Sequence, residues 1–330
     1  MSHAPKLVTI FGGSGFLGRY ISQRMAKQGW RVRVAVRRPN EAIFVKPYGT
    51  VGQVEPILAN IRDDASVQAA CTGADAVVNC VGTFDKSGRN NFEAVHIEGA
   101  QRVAQMAKAA GVKQLIHISA IGARQDATSR YARTKAAGEV VVKNAFAGAI
   151  ILRPSVVFGT EDIFFNRLAS MAAISPIMPL VGSHSKFQPV YVDDVAKAAV
   201  MGVLGQSSAG VYELGGPDTE SFTKLVDRML TCIHRKRLKV NVPFFVASLD
   251  AKILDMAFGL TMGLFKNNIL TADQVEQLRN DSVVAPRAKD FSKLGIQPVA
   301  MDAVLDSYLY AYRPYGQYAE LTASGKNLPT

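Results

Sequence analysis

Short runs of β-branched and other apolar residues alternate with stretches of helical period over the first 155 residues. The apolar runs predict strands at Leu7–Phe11, Arg31–Val36, Val54–Ile57, Ala76–Cys80, Gln114–Ser119 and Ala149–Leu152. Apolar positions at helical spacing predict helices at Gly15–Gln28, Asp64–Cys71, Glu93–Ala110 and Arg130–Phe146. Because such alternation is typical of crossover units, the sequence predicts an α/β fold with a doubly wound parallel sheet covered on both faces.

The rhythm changes after Pro154. Helical patterns follow at Phe164–Met171, Val192–Leu204 and Phe222–Ile233, a short strand at Val211–Leu214, and a helix opened by the capping pattern Thr271-x-x-Gln274. Pro176 and Pro179 are expected to break the stretch between the first two helices. We therefore expect two domains: residues 1–155 around the parallel sheet, and residues 156–330 as a smaller C-terminal α/β lobe that faces a substrate, a partner or a membrane.

Length and composition narrow the class of protein. The 330 residues are 48% hydrophobic and 20% charged, as in ordinary globular chains. Three cysteines without a C-x-x-C pair argue against a disulfide framework or a metal site and favour a reducing compartment. The start of the chain leaves no room for a signal or transit peptide. Asp250, Lys252 and Asp255 interrupt the apolar stretch Val242–Phe265. Its longest uncharged part, Met256–Phe265, is too short to span a bilayer and fits a core, a partner contact or an interfacial segment.

Charge is unevenly distributed. The net charge is +11, and residues 1–150, with 20 basic and 10 acidic side chains, carry +10 of it. This asymmetry indicates an anionic partner. Charge alone does not decide between nucleic acid, an acidic membrane, an acidic protein and a phosphorylated cofactor. The alternative is a merely solvated basic surface. The basic segment His234–Lys239 is either a contact for acidic lipid or an ordinary loop.

A glycine-rich loop follows the first predicted strand and opens the first predicted helix. Its residues are Gly12, Gly13, Ser14, Gly15, Phe16, Leu17 and Gly18. The spacing Gly12-x-x-Gly15-x-x-Gly18 supplies a tight turn, a close approach to a pyrophosphate and close packing of helix on strand. Amide groups at the helix N-terminus then face the phosphates. The loop predicts a dinucleotide site in a Rossmann-type domain.

Arg37 and Arg38 follow the second predicted strand, where NAD-binding folds usually place an acidic residue. Guanidinium groups bind phosphate in a bidentate manner, so this pair favours the 2′-phosphate of NADPH or NADP over NAD. The alternative is that both are ordinary surface charges.

Tyr131 and Lys135 lie four residues apart and therefore on one face of a predicted helix. A tyrosine with a pKa near 10 needs positive charge nearby to exchange a proton at neutral pH, and a lysine one turn away supplies it while also reaching the cofactor ribose. Both are candidate catalytic and cofactor-binding residues.

Taken together, these motifs resemble the short-chain dehydrogenase/reductase family, of its extended or atypical kind. The motifs are Gly12–Gly18, Asn79–Gly82, Tyr131 with Lys135, Arg153–Gly159 and Val190–Val195. The resemblance implies that Ala59, Asn60 and Ile61 lie near the adenine, Val81 and Gly82 along the cofactor, and Pro154, Ser155 and Val156 beside the nicotinamide. Active members place a serine or threonine beyond the fifth strand to hold the substrate carbonyl; Ser119 matches the first position of the usual pair, and Ala120 or Ile121 fills the second.

Four further stretches resemble the NADPH-binding accessory subunits of respiratory complex I, NADH:ubiquinone oxidoreductase: Asn91–Ala100, Ser129–Glu139, Phe158–Asp162 and Gln188–Val192. The resemblance implies a peripheral subunit where the hydrophilic arm meets the membrane arm, contacts with other complex I subunits, and a nucleotide held without turnover. The missing leader favours a bacterial counterpart on the cytoplasmic side of the inner membrane. An active NADP-dependent reductase or epimerase is the alternative, and scattered basic residues make nucleic acid the weakest hypothesis.

Overall fold

The computed structural model describes residues 5–244 and 272–318. The strands in these residues are β1 Leu7–Phe11, β2 Arg31–Val36, β3 Val54–Leu58, β4 Ala76–Asn79, β5 Gln114–Ile118, β6 Ile150–Pro154, β7 Val157–Phe158, β8 Ile177–Val181, β9 Lys186–Phe187, β10 Val190–Tyr191, β11 Gly210–Leu214, β12 Glu220–Ser221 and β13 Leu238–Val242. The α-helices are α1 Phe16–Lys27, α2 Asp64–Cys71, α3 Ala100–Ala109, α4 Arg130–Ala145, α5 Phe164–Ile174, α6 Val192–Val203, α7 Phe222–Cys232, α8 Ala272–Gln277 and α9 Asp306–Leu309.

A seven-stranded sheet forms the first compact unit, which comprises Met1–Ser155, Val192–Gly215 and Val284–Pro298. Its strand order is β11-β6-β5-β4-β1-β2-β3, and every neighbouring pair is parallel. The order reverses at β1, which pairs with β2 on one side and β4 on the other, as in doubly wound sheets. The predicted fold class is confirmed.

Apolar side chains on both faces of this sheet explain why the strands could be read from the sequence. All four residues of β4 are buried, as are the last four of β1 and of β5. Helices cover both faces, so these strands are near-continuous apolar runs. The boundaries lie within two residues of those predicted, with β4 ending at Asn79 and β5 at Ile118.

One predicted helix begins differently. The helix expected over Glu93–Ala110 starts as a π-helical segment, Glu93–Gly99, and becomes regular only at α3. A π-helix widens the turn and changes which side chains share a face, and such segments are frequent at functional sites.

The second unit comprises Val156–Tyr191, Gly216–Val283 and Val299–Thr330. Its described strands form three two-stranded sheets, β10-β7, β12-β9 and β13-β8. Its core includes Phe158, Phe165 and Met229. Tyr308 is buried there, and its hydroxyl donates to a carboxylate oxygen of Asp162 at 2.6 Å. The chain thus enters this unit after Ser155 and returns to the first unit twice.

Two local predictions in this unit are corrected. Pro179, expected to break the chain, lies inside β8, opposite Val240 of β13. A proline is compatible with a two-stranded sheet because its missing N–H can face the unpaired edge. The segment His234–Lys239 is not a loop throughout, because β13 begins at Leu238.

No helix in the described part of the chain combines the length and apolar character needed to cross a bilayer. The stretch Met256–Phe265 and the capping residue Thr271 lie outside the described residues, and helix α8 begins at Ala272.

Candidate dinucleotide site

The glycine-rich loop turns directly from β1 into α1. The Gly12 N–H donates to the Ala35 carbonyl at 2.9 Å, and the Gly15 N–H donates to the Gly12 carbonyl at 3.0 Å. Gly12 has a φ of +73°, which favours glycine. A β-carbon at Gly18 would lie well inside van der Waals contact of the Gly12 carbonyl oxygen. The loop therefore requires the glycine spacing, and the N-terminus of α1 lies beside its turn.

Arg37 and Arg38 lie just beyond β2, and both are exposed. The Arg38 guanidinium is paired with the Glu41 carboxylate at 3.0 Å, with both side chains more than two-thirds exposed. In the described residues, Arg37 makes no ion pair or side-chain hydrogen bond. The region thus contains a carboxylate that the sequence reasoning overlooked, and Arg37 is the guanidinium left available.

The carboxyl ends of β3 and β4 bring further predicted residues to the same edge of the sheet. Ile61 is buried, and the Asn60 side-chain oxygen accepts the Arg62 N–H at 3.1 Å. Asn79 is buried, and its side-chain oxygen accepts the Val81 N–H at 3.1 Å, while Gly82 is exposed. Parallel strands end together, so these turns lie along the edge where ligands bind in open α/β sheets.

Lys135 lies one turn after Tyr131 on α4, as the spacing predicts. The Lys135 ammonium is buried and donates to the Ile118 carbonyl oxygen at 3.0 Å. Burial lowers its pKa from 10.5 to about 8, although Glu139 and Cys80 act in the opposite direction. The lysine stays charged at neutral pH, but the margin is small.

Three aromatic rings hold Tyr131 in place. Phe84 stacks on the phenol ring with centroids 5.1 Å apart, and the rings of Phe92 and His96 meet it edge-on at 6.0 and 5.4 Å. Such pairs contribute on the order of 0.5–1.5 kcal/mol each beyond area burial. Sequence reasoning identified Tyr131 but not these contacts, because Phe84 and the π-helical segment reach it only through the fold.

His96 is a positioning residue of this cluster. Its Nε2 accepts the Thr83 N–H at 3.2 Å, so Nδ1 carries the proton and donates to the Thr134 hydroxyl at 3.0 Å. Burial and nearby Lys135 lower the pKa of His96 to about 3. His96 is thus neutral and fully hydrogen-bonded, and its contact with Thr83 anchors the loop that carries Phe84.

Ser119 donates its hydroxyl to a Glu139 carboxylate oxygen at 2.5 Å. Both carboxylate oxygens of Glu139 also accept from the Arg153 guanidinium at 2.8 Å, and Arg153 reaches Glu213 at 3.2 Å. Ser119 and Glu139 are almost fully buried. The serine that matched the catalytic position is therefore part of a buried ion-pair network.

The last predicted cofactor residues lie at the end of β6. Pro154 is the final residue of that strand, and the Ser155 N–H donates to the Leu214 carbonyl at 2.9 Å. Both belong to the first unit, whereas Val156 belongs to the second.

The residues present fit a dinucleotide. The turn from β1 into α1 is tight, with a positive φ at Gly12 and no room for a β-carbon at Gly18, and Arg37 is an exposed guanidinium beyond β2. In the described structure, the buried Lys135 ammonium has one protein acceptor for its three N–H groups. Such an ammonium suits ligand hydroxyl groups.

The fold and this edge of the sheet define a Rossmann-type protein with an NAD(P)-binding fold. The chain belongs to the NAD dependent epimerase/dehydratase family, whose model matches residues 8–215.

Relatives from several organisms match most of the chain. The NADH-ubiquinone oxidoreductase 40 kDa subunit of Neurospora crassa is 33% identical over 94% of this chain and 80% of its own. Subunit 9 of the NADH dehydrogenase (ubiquinone) 1 alpha subcomplex of Arabidopsis thaliana is 34% identical, over 98% and 82%. A ceramide reductase of Caulobacter vibrioides is 30% identical over 66% and 67%. Homology to subunits of this respiratory enzyme is therefore extensive.

Solved structures support the fold. The NADPH-dependent quinone oxidoreductase QOR2 of Escherichia coli, complexed with NADPH, matches with a TM-score of 0.69 at 19% identity, over 92% of this chain and 98% of that one.

Proposed function

We propose that the protein is an NADP(H)-binding accessory subunit of respiratory complex I, in which the nucleotide is mainly a structural ligand. One observation carries the proposal: the dinucleotide cradle is intact, while Ser119, the candidate holder of a substrate carbonyl, is bound to Glu139. The relatives that match more than nine-tenths of the chain carry the names of complex I subunits.

Arg37 supports NADP(H) as the ligand. An exposed guanidinium beyond β2 suits the 2′-phosphate, and a charge-assisted hydrogen bond contributes about 1.5–3 kcal/mol. Arg38 contributes less, because Glu41 already occupies its guanidinium. Binding of NAD through the same cradle is the alternative.

Thermal unfolding of the nucleotide-free protein tests this assignment. A ligand at about 100 times its dissociation constant stabilises the folded state by about 2.7 kcal/mol, so NADPH should raise the melting temperature well above the value with NADH. Arg37→Gln should weaken NADPH binding about 10- to 100-fold and leave NADH binding unchanged. Lys197→Gln, an exposed lysine on α6, is the matched control. Equal shifts with both nucleotides would contradict the assignment to NADP(H).

Assembly is tested separately. We expect the chain to co-purify with complex I subunits from solubilised membranes of its source organism, as a peripheral subunit at the junction of the arms on the cytoplasmic side. Purification only as a free cytosolic protein with rapid carbonyl reduction would refute the accessory role.

An acidic lipid contact belongs to the same proposal, at the segment His234–Lys239. Leu238, within this segment, is 64% exposed, yet the Arg235 and Arg237 guanidiniums donate to carbonyls and Lys239 pairs with Asp227. Lys236 and the apolar side chains therefore have to carry the contact. Flotation with vesicles containing phosphatidylglycerol, compared with neutral vesicles, measures it; equal flotation would exclude it.

An active reductase or epimerase is the second candidate, because Tyr131 and Lys135 keep their relative positions on α4. In that case Tyr131 donates the proton to a carbonyl oxygen while Lys135 supports its pKa. Loss of all turnover in Tyr131→Phe, with NADPH binding retained, would favour this candidate.

A further inference from the structure

Seven exposed basic side chains lie along the edge of the first unit's sheet where its strands begin, opposite the dinucleotide site. Lys6, Arg31 and Lys113 lie at the starts of β1, β2 and β5. Lys27, Lys108 and Lys143 lie in the last turns of α1, α3 and α4, which lead to that edge, and Lys289 lies beside β11. We call this set the basic edge.

Backbone hydrogen bonds fix the order of these positions. The Arg31 N–H donates to the Lys6 carbonyl at 2.8 Å, and the Lys113 N–H donates to the Asp75 carbonyl at 3.0 Å. The Lys289 ammonium lies 3.4 Å from the Ala209 carbonyl oxygen, just before β11. Because neighbouring strands are about 4.8 Å apart, the five spacings from β2 to β11 extend the basic edge over about 24 Å.

None of these seven cations forms an ion pair within the described residues. Asp75 is the single carboxylate among the strand starts, and one of its oxygens accepts the Leu7 N–H at 2.9 Å. The edge therefore has an excess of six positive charges, more than half of the net +11. Several other surface cations of the same unit do have carboxylate partners, such as Lys46 with Glu55 at 3.0 Å and Arg130 with Glu93 at 2.7 Å.

Compensation of helix dipoles accounts for only part of this set. Cations in the last turn of a helix are favourable, which explains Lys27, Lys108 and Lys143. It does not explain Arg31 and Lys113 at the starts of β2 and β5. Lys6 and Lys289 each lie over an aromatic ring, of Trp30 and Tyr212, at 5.4 Å, a contact that does not neutralise their charge. Like charges brought together on a rigid edge repel one another unless an anion neutralises them.

We propose that the basic edge docks on an acidic protein surface, namely a neighbouring subunit of the assembly; this rests on the proposed function. A length of about 24 Å matches one side of a standard protein interface of about 800 Å² per partner. Two exposed valines lie near the basic edge, Val51 in the turn before β3 and Val140 one turn before Lys143 on α4, and no exposed tryptophan, phenylalanine or leucine of the described structure accompanies them there. Segments that bind membranes usually add apolar side chains for insertion, so this edge fits a protein better than a lipid surface.

Charge reversal in the full-length protein tests the proposal. The variant Arg31→Glu/Lys113→Glu changes two positions of the basic edge, and Lys197→Glu/Lys224→Glu makes the same change of charge at exposed lysines of α6 and α7. Each tagged protein is recovered from solubilised membranes, and the co-purifying complex I subunits are quantified by mass spectrometry at several salt concentrations. Stabilisation by NADPH, measured in parallel, reports whether the nucleotide site is intact.

We expect recovery of the subunits by the unaltered chain to fall steeply with salt. At about 0.15 M salt the edge variant should recover at least fivefold less, and the control variant should stay within twofold of the unaltered chain. A carbodiimide, which joins amines directly to carboxylates, should link Lys27, Lys108 or Lys143 to acidic residues of a complex I subunit.

Unchanged recovery by the edge variant would refute the docking edge while leaving the accessory role intact. Loss of binding to phosphatidylglycerol vesicles, with recovery of subunits preserved, would overturn it in favour of lipid. Failure of the unaltered chain to recover any complex I subunit would refute the proposed function and the docking edge together.

Discussion

Replacing Lys135 by methionine should stabilise the nucleotide-free protein at neutral pH. The ammonium is buried, donates one hydrogen bond to the Ile118 carbonyl, and is attracted by a Glu139 carboxylate that already serves Arg153 and Ser119. Its pKa of about 8, against 10.5 in the unfolded chain, means that keeping the charge costs the folded state about 3 kcal/mol. Methionine has a similar length and carries no charge.

The dependence on pH gives this prediction its sign. Below pH 8 both folded and unfolded states carry the proton, so the full cost is present. Between pH 8 and 10.5 the unfolded state binds more protons than the folded state, and the stability of the wild-type protein rises with pH. The free energy of unfolding of Lys135→Met should thus exceed that of wild type by about 1–3 kcal/mol at pH 7, and the difference should vanish towards pH 10.

Urea unfolding followed by circular dichroism at pH 7, 8, 9 and 10 measures this difference. Lys197→Met, at an exposed position of α6, is the control: its free energy of unfolding should differ from that of wild type by the same amount at each pH. A Lys135→Met variant less stable than wild type at pH 7, or a difference constant from pH 7 to 10, would refute the reasoning. The same charge should serve the nucleotide, so NADPH affinity should fall as pH rises through about 8 in wild type and be low at every pH in the variant.

Three further substitutions test packing and protonation elsewhere. Gly138→Ala should lower the free energy of unfolding by about 2–4 kcal/mol, because a β-carbon there would clash with a backbone carbonyl of the π-helical segment. Gly148→Ala, where a β-carbon would make only ordinary contacts, is the control and should change the free energy of unfolding little. Calorimetry compares the two variants, and equal effects would contradict the prediction. Burial holds the pKa of His117 near 3, so between pH 6.5 and 3 the unfolded state binds a proton that the folded state does not, and the free energy of unfolding falls as pH falls. His117→Gln should make this fall with pH less steep, as measured by urea unfolding at several pH values. An unchanged dependence on pH would count against the prediction. Tyr308→Phe should cost about 1.5–3 kcal/mol through loss of a hydrogen bond to a buried carboxylate, and the exposed control Tyr310→Phe should cost nothing; thermal unfolding compares the two.

The central sheet could be predicted because buried parallel strands are continuous runs of apolar residues. The π-helical segment could not, because seven residues are too few to separate its period from that of an α-helix. The pairing of β8 with β13 joins segments about sixty residues apart, and Pro179 within β8 gave a misleading signal for a break. Pairs of this kind depend on tertiary contacts, which no local pattern encodes.

The candidate site divides in the same way. Residues whose role follows from backbone geometry, such as the glycines of the first loop, were found from their spacing. Interactions between side chains distant in sequence were not: Ser119 and Glu139 are twenty residues apart, and Phe84 reaches Tyr131 across the fold. Glu41 could have been anticipated, since it lies three residues after Arg38.

The contacts of Ser119 connect fold stability with the question of turnover. To hold a substrate carbonyl, this hydroxyl would have to leave Glu139, whose carboxylate is buried and would then lose one of its donors. Breaking a hydrogen bond to a charged group costs the fold about 1.5–3 kcal/mol. Loss of a hydrogen-bond donor to the oxyanion typically lowers turnover about 10²- to 10³-fold. The glycine loop, Arg37 and Lys135 need no such rearrangement to meet a nucleotide. Keeping Ser119 on Glu139 therefore favours a stable fold and leaves nucleotide binding unaffected, whereas carbonyl chemistry would require this buried hydrogen bond to be broken.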